Sequence, residues 1–323
     1  MNKPKGINAL MKYMRDIKGI NISGSIQKRK LRYMGYFHGY KGYRYHAGSN
    51  KLFSFKDFDE IQAVYNFDME LKALFYPRIM FLETALKNFA LEEIISEADS
   101  KRFAVIYSKL MVDYKQFPIG SKLYGQAISK RMTIRNKIYN DIQRDYGKRI
   151  IVNHYYDKDQ PLPIWAIFEL INLGEFALFI ECLDYTTRKR ISNQIGINKT
   201  LDSDARLSAM FIYTLKDLRN AVAHNNTIFD TRFKTGKVNK RVINYLEKEL
   251  KISNITFNSI VDYVIMIAYI MKLLHASQKD IISFIKSFEK SCEYLRNAVS
   301  SSIFSSIIYT DTRNKLESLK KIL

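Results

Sequence analysis

The sequence predicts an all-α fold, and three observations carry that prediction. Glycine and proline together supply only 18 of 323 residues, 13 and 5, so helix breakers are scarce. Hydrophobic residues make up 47% of the chain, enough for a sizeable core at this length. Apolar positions recur at helical spacing, most plainly at Phe75, Ile79, Leu82, Leu86 and Phe89, where steps of four and three draw one stripe.

Taken in order, residues 1–50 form a basic, Tyr/Gly-rich N-terminal extension that culminates in GYFHGYKGYRYH, Gly35 to His46. Four tyrosines, a phenylalanine, Lys41 and Arg44 within this stretch suit a stacking-and-charge surface for RNA. They equally suit an arm or hairpin whose rings pack on the helical body. From Asp57 the pattern turns helical, with Pro77 expected to kink a helix or mark its first turn. Residues 101–150 read as two helices around a loop at Pro118-Ile-Gly120. PLPIWAIFELINLGEFALFIECL reads as one apolar helix with Trp165 in its core, and Gly174 in its middle suggests a close helix–helix approach, with a kink as the alternative. A helix over about 204–225 follows, then a polar loop over 232–241. Further helices are expected near 242–251, 256–277 and 278–297, before a Lys-ended tail. Residues 51–323 are therefore expected to form a single helical domain.

Charge narrows the partners. The chain carries 52 Lys and Arg against 32 Asp and Glu, a net of +20. Eleven of those cations and a single acid, Asp16, lie in residues 1–50. Clustering of that kind favours a polyanionic partner such as RNA. Lys28, Arg29, Lys30 and Arg32 are the candidate phosphate-binding patch, against a plain solvated arm. Only Cys182 and Cys292 are present, so neither a disulfide framework nor a CxxC metal pair is expected, and no cofactor is called for. The N-terminus lacks the apolar core of a signal peptide. The longest apolar run, Tyr263 to Met271, has nine residues, about half a membrane span. A cytoplasmic protein with no membrane role is expected.

The motif that carries chemistry is LRNAVAHNN, Leu218 to Asn226. At 100° per residue, Leu207, Phe211, Leu215, Leu218 and Val222 share one stripe, which must face the core. Asn220 and His224 are one turn apart on the other side. Metal-free RNA cleavage needs a base for the 2′-hydroxyl, an acid for the leaving 5′-oxygen and positive charge on the phosphorane-like transition state. Histidine serves either proton role, and arginine fits phosphate with two parallel hydrogen bonds. The same residues also suit an ordinary helix end, a histidine favoured by the dipole and asparagines that cap. Arg219 lies about 140° from His224 around the helix at 100° per residue. Its side chain must therefore reach round, or a second copy must supply its own arginine, which hints at a symmetric dimer.

RNAVAH, Arg219 to His224, resembles the R-polar-x3-H signature of HEPN domains (higher eukaryotes and prokaryotes nucleotide-binding), many of them metal-independent RNases. The wider chain resembles the bacterial Abi family of the AbiD/AbiF type. Four blocks appear in the family's order: GYFHGYKGYRYH; FDMELKALFYPRIMFLETALKN with Arg78 and Glu83 at charged family positions; LPIWAIFELINLGEF; and LRNAVAHNN. Together they cover about residues 30–230. The chain departs from the pattern after its histidine, where Asn225, Asn226 and the more distant Arg232 stand in for the family's residues.

The resemblance implies a HEPN-type helical bundle, a homodimer that pairs two motifs, and phage defence through RNA cleavage that leaves a 2′,3′-cyclic phosphate. Arg219, Asn220 and His224 would form the catalytic set, with Arg78 and Glu83 in support. The resemblance also implies restraint by a protein antitoxin or by a small RNA, of which the +20 surface favours the RNA. The rival readings are a non-catalytic RNA-binding module and a helical protein that senses a phage component.

Overall fold

The computed structural model describes residues 5–46 and 51–323, and 71% of the chain is helical. The remaining positions of the expected extension, 1–4 and 47–50, lie outside the described residues. The elements run α1 (Ile7–Lys18), α2 (Gly24–Met34), a π-helical turn (Gly35–Lys41) and a two-stranded antiparallel hairpin, β1 (Tyr45–His46) with β2 (Lys51–Leu52). Then follow α3 (Phe58–Ala98), α4 (Phe103–Lys109), α5 (Lys122–Asp145), α6 (Ile150–Tyr156), α7 (Ile164–Leu170), α8 (Leu173–Cys182) and α9 (Tyr185–Ile195). The chain closes with α10 (Leu207–Ala223), α11 (Lys240–Leu250), α12 (Ile260–Leu273), α13 (Gln278–Ala298), α14 (Ser301–Ile307) and α15 (Thr312–Ile322). The all-α expectation holds, with one short hairpin added.

Two compact units divide the chain. The first comprises 1–78, 218–238 and 246–323; the second comprises 79–217 and 239–245. The basic N-terminal residues hold two helices and belong to the first unit.

The first unit's core centres on α12, in which every residue from Ile260 to Met271 is buried. Asp262 is among them. Its carboxylate accepts from the backbone N–H groups of Thr256 and Phe257 at 3.0 and 2.8 Å, and from Lys315 Nζ at 3.0 Å. A buried charge persists only when partnered in this way. The apolar run is thus a core helix, and among the described residues no helix is long and apolar enough to cross a membrane. The segment after α13 is helical rather than a tail, because Leu316 and Leu319 of α15 are buried.

In the second unit, Phe168 packs edge-on against Phe176 and Phe179 with ring centroids 5.3 and 5.2 Å apart. The expected continuous apolar helix breaks between Leu170 and Leu173. Asn172 accepts from the N–H of Gly174 and Glu175, and the Glu175 carboxylate accepts the Asn172 N–H at 3.0 Å. This reciprocal capping box starts a new helix. Gly174 does mark a close approach, since an added Cβ would lie 3.0 Å from the Lys216 side chain. Trp165 is 39% exposed rather than core. On α3, Phe75, Ile79, Leu82 and Leu86 are buried as expected, but Ala90 rather than Phe89 completes the stripe. Pro77 lies inside that helix, and the boundary of the two units falls just beyond it, between Arg78 and Ile79.

Candidate functional site

The helix that presents the motif is built as its spacing requires. Leu207, Phe211, Leu215 and Leu218 are all at most 3% exposed. Val222 is half-buried, Arg219 half-buried, and Asn220 and His224 exposed. The His224 N–H still donates to the Asn220 carbonyl at 3.0 Å, which holds the two side chains one turn apart.

The two asparagines end the helix. Asn225 adopts the left-handed conformation at φ 54°. Its N–H donates to the Val222 carbonyl at 3.3 Å, and the Asn226 N–H donates to the Ala221 carbonyl at 2.8 Å. That pair of bonds is the Schellman motif, and asparagine is the residue after glycine best suited to it. The helix-end reading of these asparagines is therefore correct, and it stations His224 at the exposed terminus.

What fixes the segment beyond the cap is Asp68 of α3, fully buried. One carboxylate oxygen accepts the N–H groups of Ile228 and Phe229 at 2.7 and 2.8 Å. The other accepts the Tyr43 hydroxyl at 2.7 Å and Lys72 Nζ at 2.8 Å. Lys72 also donates to Asn225 Oδ1 at 2.8 Å. Burial, and then the adjacent Asp68 carboxylate, push the Tyr43 phenol well above its ordinary range, so it stays a donor.

Arg232 clamps the aromatic block to the same loop. Its Nε donates to both oxygens of buried Asp230, at 2.8 and 2.9 Å, and its terminal nitrogens donate to the carbonyls of Gly42 and Tyr45 at 2.7 and 2.6 Å. Its guanidinium lies 4.4 Å from the Tyr45 ring centroid. These contacts account for Arg232 as a brace.

Between the aromatic block and the helix end lies a groove of about 720 Å³. Tyr33, Phe37, Lys41 and Arg44 line it, together with Asn225 and Asn226, the two residues after His224. Tyr40 and Tyr43 are buried, whereas Tyr33 and Phe37 are 78% and 71% exposed. Within GYFHGYKGYRYH, therefore, some rings pack and others face solvent.

The remaining candidates scatter. Arg29 and Arg32 are exposed on α2; Lys28 and Lys30 are half-buried, with Lys30 3.5 Å from Asp59. Lys41 sits over the Tyr36 ring at 5.6 Å. Arg78 lies against the Phe284 ring at 5.7 Å, and Glu83 accepts from Lys87 at 3.1 Å along the same helix. Among the described residues no three His, Cys, Asp or Glu side chains gather as a metal site would require.

Asp68, Lys72 and Tyr43 escaped the sequence reading. A signal existed: Asp68 and Lys72 fall on the apolar stripe that continues through Phe75, where a charged pair four residues apart has no reason to be unless it is buried.

No curated protein and no solved structure matches the chain significantly. The family model described as Abi-like protein matches residues 29–230, from the basic α2 through the motif helix and into the loop that Arg232 braces. That span is more than half the chain and contains Asp68, Lys72, Arg219 and His224: the chain belongs to the Abi-like protein family.

Proposed function

We propose that this chain is a metal-independent endoribonuclease toxin of an abortive-infection system, with Arg219, Asn220 and His224 as its reacting centre. Membership of the Abi-like family supports the phage-defence role. The observation that carries the chemistry is the exposed His224 at the end of α10, one turn from Asn220 and directly before the asparagines that line the groove. His224 takes the 2′-hydroxyl proton or supplies one to the leaving 5′-oxygen. Arg219 stabilises charge on the transferring phosphate, and Asn220 orients one of the two. The 2′-oxygen–phosphorus bond forms as the phosphorus–5′-oxygen bond breaks, leaving a 2′,3′-cyclic phosphate and a 5′-hydroxyl.

In this reading the fold is a HEPN-type bundle, and a homodimer brings two copies of the motif together. RNA places the activity in the cytoplasm. The +20 charge suits restraint by a small antitoxin RNA.

The test is expression of the wild type beside His224→Ala, following growth and total RNA. Growth arrest with RNA fragments ending in cyclic phosphate, seen only with the wild type, is expected. Equal toxicity with intact RNA would return the helix end to a binding surface.

A further inference from the structure

The groove beside the motif is made by an unusual piece of backbone. Residues 35–41 form a π-helical turn, in which residues five apart stack over one another. Gly39 is required there: an added Cβ would lie 2.4 Å from the Met34 Cβ. The wider turn follows α2 directly, so Tyr33 and Phe37 project four residues apart with 78% and 71% of their surface exposed. Tyr33 of α2 and Phe37 of the turn thus leave two large rings in solvent beside one groove, while Tyr40 and Tyr43 further along are 3% exposed.

The rest of the lining identifies a class of ligand. Lys41, Arg44, Asn225 and Asn226 also line the groove, and no carboxylate is among the described residues that do so. Its volume of about 720 Å³ falls in the roughly 300–1,000 Å³ range of preformed ligand sites. Ring faces suit base faces, cations suit phosphates, and amides suit the hydrogen-bonding edges of a base. A base-paired strand offers only its phosphates here, because its base faces are already stacked.

We infer that this groove is a subsite for unpaired RNA, in which Tyr33 and Phe37 stack bases and Lys41 and Arg44 hold phosphates, feeding the strand to His224. The inference rests on the ribonuclease reading for its choice of RNA over other anions. The two rings set the preference for unpaired strand, and the two cations set affinity without regard to pairing.

The experiment uses the full chain and a short, fluorescently labelled RNA with 2′-O-methyl riboses, which cannot be cleaved. Binding is followed by anisotropy, single-stranded and annealed to its complement, across salt concentrations. Phe37→Leu keeps apolar bulk without a π face, and Tyr33→Ala removes the second ring; both sites are exposed, and melting curves check folding. Each is expected to weaken single-strand binding by about tenfold while leaving duplex binding and the salt slope unchanged. Lys41→Gln with Arg44→Gln should weaken both ligands and lower the single-strand salt slope by about 1.4.

Equal losses on both ligands, or no loss from the ring substitutions, would overturn the inference. So would dissociation of a dimer by Phe37→Leu, because the rings would then cover a second copy. Because the probe is inert, binding that survives alongside an unimpaired His224→Ala nuclease would sink the catalytic reading and leave the groove standing. Motif-dependent cleavage that ignores both rings would do the reverse.

Discussion

Lys72 Nζ lies 2.8 Å from Asn225 Oδ1, so a lysine buried in α3 holds the residue that follows the motif histidine. The same ammonium sits 2.8 Å from Asp68, which in turn fastens the backbone of Ile228 and Phe229. Position at the helix end is therefore set by a charge network placed far earlier in the chain.

Lys72→Met tests that network. It leaves the Asp68 carboxylate buried with one fewer donor and without its counter-charge, a change that costs about 3 kcal/mol when one partner of a buried pair is removed. Urea unfolding should show that loss. The double substitution with Asp68→Leu, which also abandons two backbone N–H groups, should not recover it.

Arg232→Lys tests the brace. Lysine keeps the charge but cannot serve Asp230 and the two carbonyls of Gly42 and Tyr45 at once. A loss of about 1–3 kcal/mol is expected, and amide hydrogen exchange should rise in residues 42–46 before it rises in α12.

Gly39→Ala tests the π turn. The 2.4 Å approach to Met34 Cβ cannot be relieved by a flexible side chain, so the backbone of the turn must move. The expected cost is about 1–3 kcal/mol. Single-strand RNA binding should fall with it, since Tyr33 and Phe37 are spaced by that turn. Gly236→Ala, outside the helices and with nothing within 4 Å of an added Cβ, should be silent on both measures.

The two thiols give a pH dependence. Burial pushes Cys182 and Cys292 up to about 12 from an ordinary 9.0. Between those values the unfolded chain has lost these protons and the folded chain keeps them, so folding stability falls as pH rises through that window. The fall approaches about 1.4 kcal/mol per thiol at pH 10. Chemical denaturation at pH 8 and pH 10 should show a shallower drop in Cys182→Ala/Cys292→Ala than in the wild type. Both thiols should react with a disulfide reagent only once the chain is unfolded.

Periodicity alone located the stripe of α3, the buried α12 and the motif helix to within a turn, because a helix's apolar face is a local property of spacing. The Schellman end was legible for the same reason: one left-handed asparagine and two backbone bonds involve six consecutive residues. The break at Asn172 was also local, written in Asn172 and Glu175, but the apolar run around them hid it.

What the sequence by itself determined is the all-α class, the polar end of α10 and the basic charge. Tertiary structure alone decided which of the tyrosines face solvent, that Asp68 and Lys72 hold Asn225, and that Arg232 braces the aromatic block. The reason is physical. Burial of a charge depends on donors brought from distant segments, and spacing along one helix carries no information about which segment that will be.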